Sequence, residues 1–164
     1  MTVWHYLFEF VICAFSVASF SVITSAPRNT ILASSLVSAI AYVIYRFIHI
    51  NAGKEIFAYF VASLVISILS EILARVYKNP STVFIFPGIL PLVPGVGLYN
   101  SMLYLVQRDY EMFTAKAVTT LFISGSIAIA VAIVHITARS VFPRKNGIVP
   151  ISRINVQKED NELK

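Results

Sequence analysis

A chain of 164 residues is long enough for one ordinary soluble domain, but 57% hydrophobic against 13% charged residues, at a mean hydropathy of +0.77, cannot cover a soluble surface. The net charge of +5 does not point to nucleic acid, because Lys and Arg sit singly at the ends of apolar stretches and in the C-terminal tail, not on one basic and aromatic face. Cys13 is the only cysteine, which excludes an intrachain disulfide and a cysteine-based metal site. The chain reads as an all-α integral membrane protein with five transmembrane helices in a lipid bilayer.

Trp4 to Ala26 is long enough to cross a bilayer, and no Lys or Arg precedes it as a secretory signal peptide requires, so it is expected to persist as the first span. Pro27, Arg28 and Asn29 turn the chain into the second, Thr30 to Ile48, with Tyr45, Arg46 and Phe47 at interface depth. After His49 to Lys54 the third span runs from Glu55 to Tyr77 and is stopped by Asn79-Pro80-Ser81. The fourth, Val83 to Val106, contains Pro87, Pro91 and Pro94 together with Gly88, Gly95 and Gly97. An interior proline deletes a backbone hydrogen bond and clashes with an earlier carbonyl, at roughly 3 kcal/mol in a soluble helix. In lipid the freed groups survive only inside protein or beside a water-filled cavity. This span is therefore expected to be two half-helices meeting between Pro87 and Gly95.

A polar loop from Gln107 to Lys116 leads to the fifth span, Ala117 to Ala138. Residues 1–138 thus make a five-helix transmembrane module, and residues 139–164 a basic polar tail without apolar periodicity, expected to be disordered. Arg28, Arg75, Lys78, Arg139, Arg144, Lys145, Arg153, Lys158 and Lys164 fall on one side of the spans and only Arg46, Lys54, Arg108 and Lys116 on the other. That imbalance places the tail in the cytoplasm and the N-terminus outside.

In the third span Ser63, Ser67, Glu71 and Arg75 recur every four residues, with Ser70 beside them, so they share a helix face that should point inward. An intramembrane carboxylate is a candidate for an ion or proton path. The simpler reading is that Glu71 pairs with Arg75 one turn on and holds the helix in place. Glu9 reads as a solvated end residue, Arg46 as a snorkelling one, and His135, a turn before Arg139, as a hydrogen-bonded interfacial histidine. Small residues four apart, Ser34 and Ser38 with Ala41, and Ser124, Ala128 and Ala132, read as packing strips. Three histidines and one cysteine assemble no metal cluster and no nucleophile, base and orienter set, so neither a cofactor nor an enzyme activity is expected.

The Pro/Gly break carries the most information. Discontinuous spans of transporters present half-helix N-termini to anionic groups and leave carbonyls free for cations. A helix restarting near Gly95 would aim the amides of Gly95, Val96 and Gly97 at mid-membrane just after Pro94, with Tyr99 and Asn100 in its first turns to supply specific hydrogen bonds. Pro94, Gly95, Gly97, Tyr99 and Asn100 are thus the candidate substrate-binding residues, and Glu71 and Arg75 the candidate coupling or gating pair. A hinge or re-entrant packing element without a ligand is the competing reading of the break.

The stretch Glu71-Ile72-Leu73-Ala74-Arg75, followed by Lys78, Pro80, Phe84, Pro87-Gly88, Pro91-Leu92-Val93-Pro94-Gly95 and Tyr99, is similar to the membrane module of the threonine/serine exporter family. The likeness extends over the whole set of spans, including Ala26-Pro27-Arg28, and the doubled Pro-Gly run is its most specific part. In that family such a five-span module is fused behind another or made as a separate small subunit, and the length here resembles the small subunit. The resemblance implies export of a small hydrophilic metabolite, a threonine- or serine-like amino acid or a dicarboxylate, driven by an ion gradient across a bacterial plasma membrane, with a second multi-span membrane subunit as partner. An odd number of spans fits that arrangement, because a second five-span unit in series would start on the opposite side and create an inverted repeat. Two other classes remain open: the small substrate-capturing membrane component of an importer, and a non-transporting membrane assembly factor that uses the basic tail as an anchor.

Overall fold

The computed structural model describes residues 3–141, all of whose regular structure is helical: α1 (Val3–Ile23), α2 (Arg28–Ala52), α3 (Glu55–Val76), α4 (Thr82–Ile89), a single 3-10 turn (Leu90–Leu92), α5 (Gly95–Val106) and α6 (Tyr110–Val141). Helices α1, α2, α3 and α6 are each long and apolar enough to cross a membrane, and α4 with α5 passes the same test of length and composition as a pair bent by 51° at its break, the geometry of a broken span or of a re-entrant loop. The protein is a multi-pass membrane protein. The tail beyond Val141, and with it the expectation of a disordered cytoplasmic segment, lies outside the described residues.

The helices are joined tightly. Three of them end in Schellman turns, in which the residue after the helix adopts the left-handed conformation and the amide beyond it reaches back to an orphan carbonyl. Ala26 N–H donates to Ser21 O after α1, Asn79 N–H to Ala74 O after α3 and Asp109 N–H to Tyr104 O after α5, each at 3.0–3.1 Å. The left-handed residues are Ser25, Lys78 and Arg108, none of them glycine, whereas α2 ends on Gly53 at φ 61°. A Cβ in that region is disfavoured, so Ser25→Gly is expected to stabilise the module by about 0.5–1 kcal/mol. Equilibrium unfolding in mixed micelles checks this, and an unchanged midpoint would mean that the Ser25 side chain compensates for the strain.

The core is built from small residues. In lipid, helices gain nothing from hiding apolar surface from water, so close backbone approach and van der Waals contact carry association. On α2 the buried face is Ser34, Ser35, Val37, Ser38, Ala39 and Ala41, and on α3 it is Ala58, Ala62, Ser63, Ile66, Ser67, Ser70 and Ala74. Most of the buried hydroxyls turn back onto their own helix: Ser63 donates to Tyr59 O and Ser67 to Ser63 O, both at 2.8 Å. Ser38 instead reaches across to Gly88 O on α4 at 2.9 Å. The strip expected on α2 is therefore a packing face. Its counterpart on α6 is not, since Ser124, Ala128 and Ala132 face outward and α6 buries Thr120, Ile123, Ile127 and Ala130.

The helices pack in a chain of neighbours. Helices α1 to α4 form one body, with α4 packed against α2 and α3 and more lightly against α1. Helix α5 packs on α6, and α6 packs on α3 as extensively as any helix pair except α1 with α2, so α5 and α6 form an arm seated along α3 and joined to the body through the break between α4 and α5.

Helix α6 departs from expectation at its start. The segment Gln107 to Lys116 is a loop only as far as Asp109, after which the helix begins at Tyr110. Asp109 is the cause: its Oδ1 accepts from Met112 N–H at 3.1 Å and its carbonyl from Phe113 N–H at 3.0 Å, and Glu111 adds negative charge to the first turn.

Candidate functional site

The fourth span breaks where the sequence predicts. α4 continues through Pro87 to Ile89, the 3-10 turn holds Pro91, and Val93 is extended at ψ 126° ahead of Pro94, as the residue before a proline prefers. Pro94 itself, at φ −75° and ψ 60°, is the centre of an inverse γ-turn closed by Gly95 N–H donating to Val93 O at 2.7 Å. That bond corrects one expectation. The Gly95 amide is spent inside the turn, and the free first-turn amides of α5 are those after it, at Val96 and Gly97.

The five candidate binding residues separate into two faces of α5. Gly97 and Asn100 lie towards α6 with the buried Ser101, which donates to Gly97 O at 2.7 Å. Gly95 and Tyr99 are exposed, Tyr99 at 66%, and Pro94 is buried behind them. The glycines differ in the same way. A Cβ on Gly97 would come within 2.5 Å of Thr120 Oγ1, whereas one on Gly95 would meet nothing within 4 Å. The close backbone approach expected at both thus exists inside the chain only at Gly97. Thr120 cannot yield easily, because its χ1 is stiff and its hydroxyl donates to Lys116 O at 2.8 Å. Gly97→Ala is accordingly expected to cost about 1–2 kcal/mol by overpacking, and Thr120→Ala in the same chain to restore most of it; unfolding of the single and double variants in micelles measures both.

Glu71 and Arg75 sit in the last turns of α3, where Glu71 adjoins the buried Ser67 and Ser70 while Arg75, at 40% exposure, turns outward, so the face expected to point inward does so only as far as Glu71. Glu71 is mostly buried, at 14% side-chain exposure, and its Oε2 lies 3.6 Å from Arg75 Nη2, while Arg75 Nη1 donates to the Glu71 carbonyl at 3.1 Å. The shorter side-chain contact goes elsewhere: Glu71 Oε1 is 3.1 Å from Nδ1 of His135 on α6. His135, read from sequence as a hydrogen-bonded interfacial histidine without a named partner, is the third member of this cluster. Ser70 Oγ is buried beside it without a hydrogen-bond partner.

A second polar cluster occupies the other end of the body. Arg46 Nε donates to Glu9 Oε2 at 3.0 Å and Arg46 Nη2 lies 2.8 Å from Glu9 Oε1, a two-point guanidinium–carboxylate pair joining α1 to α2. Glu9 is therefore not a solvated end residue, and Arg46 does not simply snorkel. Next to the pair stand Tyr42 and Tyr45, with Tyr45 4.5 Å from the Tyr59 ring and stacked on His49 at 5.6 Å. Glu9 lies as far from the start of α1 as Arg46 from the end of α2, and that matched depth on antiparallel neighbours was the signal in the sequence that they would meet. Among the described residues no three His, Cys, Asp or Glu side chains converge to hold a metal ion.

Comparison with known proteins agrees with the architecture. Residues 9–137 match the family model described as "Threonine/Serine exporter, ThrE". A Haemophilus influenzae protein described as uncharacterized is 26% identical over 136 residues, covering 77% of this chain and 46% of that protein. The chain thus spans about half the length of the curated relative it matches. No solved structure matches. With the match running from Glu9 in the first helix almost to the end of α6, the chain belongs to the threonine/serine exporter family.

Proposed function

We propose that this chain is one five-span half of a secondary-active exporter that moves a small hydrophilic metabolite, a threonine- or serine-like amino acid or a dicarboxylate, out across the bacterial plasma membrane. A second five-span subunit of the same family completes it, and the proton gradient drives it, with the N-terminus outside and the C-terminus in the cytoplasm. The observation that carries this reading is the exposure of the broken span. Among the described residues, Gly95, Val96 and Tyr99 at the start of α5 are exposed, at the break between two apolar half-helices. Half-helix N-termini at such a break are transporter ligand sites, and they work only when enclosed. A second module facing α5 would enclose them, and the curated relative, about twice as long as the matched segment, has room for two such units.

In this reading Pro94 sets the break, the first-turn amides of Val96 and Gly97 receive a carboxylate, and Tyr99 and Asn100 select its substituents. Glu71 and Arg75 form the coupling or gating pair. The test is co-expression with a second five-span chain of the family, followed by co-purification and threonine, serine and succinate efflux from loaded cells. Efflux should need both chains and collapse when the proton gradient is dissipated. Gly95→Leu is the informative variant, because a Cβ there meets nothing within 4 Å among the described residues. It should insert and assemble normally yet lose at least about tenfold in efflux, since a bulky group would occupy the anion site. Full efflux from Gly95→Leu removes the substrate site from α5.

A further inference from the structure

We propose that Glu71 and His135 form a proton-operated latch that fastens the α5–α6 arm to the α1–α4 body, so that the proton used in transport is read as a change in the position of α6 against α3. This rests on the exporter reading for its role in transport but not for its existence.

Three observations converge on it. The first is placement. The arm joins the body along the α3–α6 face and through the chain at the break, where an extended Val93 and the Pro94 γ-turn replace helical hydrogen bonds. A break of that kind is a joint, and residues at such places absorb the backbone change when two packed units move. Second, the one side-chain hydrogen bond described between α3 and α6 is Glu71 to His135 at 3.1 Å, in the last turns of both helices. Third is chemistry. The other interhelical ion pair, Glu9 with Arg46, joins two helices of the body and uses a guanidinium, which stays charged at every physiological pH. The pair between the arm and the body uses an imidazole, the side chain whose ordinary charge change lies near neutrality. A permanent clasp holds what should stay fixed, and a titratable one holds what should move.

The proton count fixes the direction. With imidazole neutral, Nδ1–H donates to the carboxylate in an ordinary hydrogen bond. With a proton added at Nε2, the same contact becomes an ion pair, and charge-assisted hydrogen bonds are roughly twice as strong. Proton binding fastens α6 to α3 and proton release loosens it. Among the described residues the charges nearest along these helices are Arg75 a turn further on α3, Lys78 just after it and Arg139 a turn further on α6, while α4 carries no ionisable residue and α5 only Tyr99 and Tyr104.

The test uses the full chain in nanodiscs with Cys13→Ala and nitroxides at two exposed positions, Leu36 on α2 and Ile129 on α6, whose separation is read by pulsed electron resonance. From about pH 8 to about pH 5, across the ordinary imidazole range, the ratio of closed to open populations should rise at least about fivefold. Glu71→Gln, which keeps the shape and removes the charge, should abolish that response. His135→Gln should abolish it too, and guards against a folding defect in the first variant. A native distribution that does not move with pH overturns the latch, and so does a response that survives in either variant. A response that is present while efflux ignores the proton gradient upholds the latch and rejects proton coupling, so the two failures are distinguishable.

Discussion

Arg46→Ala is expected to destabilise the module by about 3 kcal/mol, the largest loss of any single substitution considered for this chain. Removing one partner of a buried pair leaves the other charge without compensation, at about 3–5 kcal/mol in a protein interior. The pair here is about a quarter exposed, at 27% and 25% for the two side chains, which places the cost at the lower end. The Glu9 carboxylate left behind cannot reach bulk water without α1 sliding towards the interface, because Glu9 sits well inside the first span. The double variant Glu9→Gln/Arg46→Gln should recover at least half of the loss, since two neutral amides can satisfy one another. Unfolding midpoints of the four-member cycle in mixed micelles give the coupling energy, expected at about 1–3 kcal/mol. A coupling near zero would mean that the two charges are solvated separately in the membrane-embedded protein.

Phe84→Ala should cost about 2–3 kcal/mol and act first on α4. Phe84 is fully buried where α4 meets α2 and α3, with its ring 5.8 Å from that of Tyr77. In water such a truncation loses transfer free energy as well as leaving a void. In lipid the unfolded side chain remains in hydrocarbon, so only the void counts, at about 24 cal/mol per Å³. Because α4 supplies one side of the break, its loosening should reach α5 as well. Hydrogen exchange of α4 amides should accelerate in Phe84→Ala and much less in Phe84→Leu, which refills most of the space. Equal exchange in both would show that lipid fills the void.

The break in the fourth span was legible because its cause is local and covalent: Pro91 and Pro94 cannot donate, and no packing partner repairs that. The buried face of α3 was legible for a similar reason, since residues four apart share a face whatever surrounds them. What remained unread needed two helices at once. Glu9, Arg46 and His135 were each weighed alone, and alone each has an unremarkable solution at the membrane interface. Only the folded bundle brings Arg46 to Glu9 and His135 to Glu71. The outward strip on α6 has the same origin, because small residues state that a close contact is affordable and not which neighbour makes it. The early start of α6 was a different kind of miss, in which polar composition outweighed a capping aspartate followed by Glu111.

Helix α6 is 32 residues long, which at 1.5 Å per residue is about 48 Å, against a hydrocarbon thickness of about 30 Å. It must tilt, or carry its first turns beyond the hydrocarbon, and a helix hinged at one face changes tilt whenever it swings. The bilayer then acts as a spring on the arm. Thin membranes favour the more inclined position and thick ones the more upright, at fractions of a kcal/mol per ångström of mismatch. The acyl-chain length of the surrounding lipid thereby becomes a control on the arm's resting position, independent of any residue in the site.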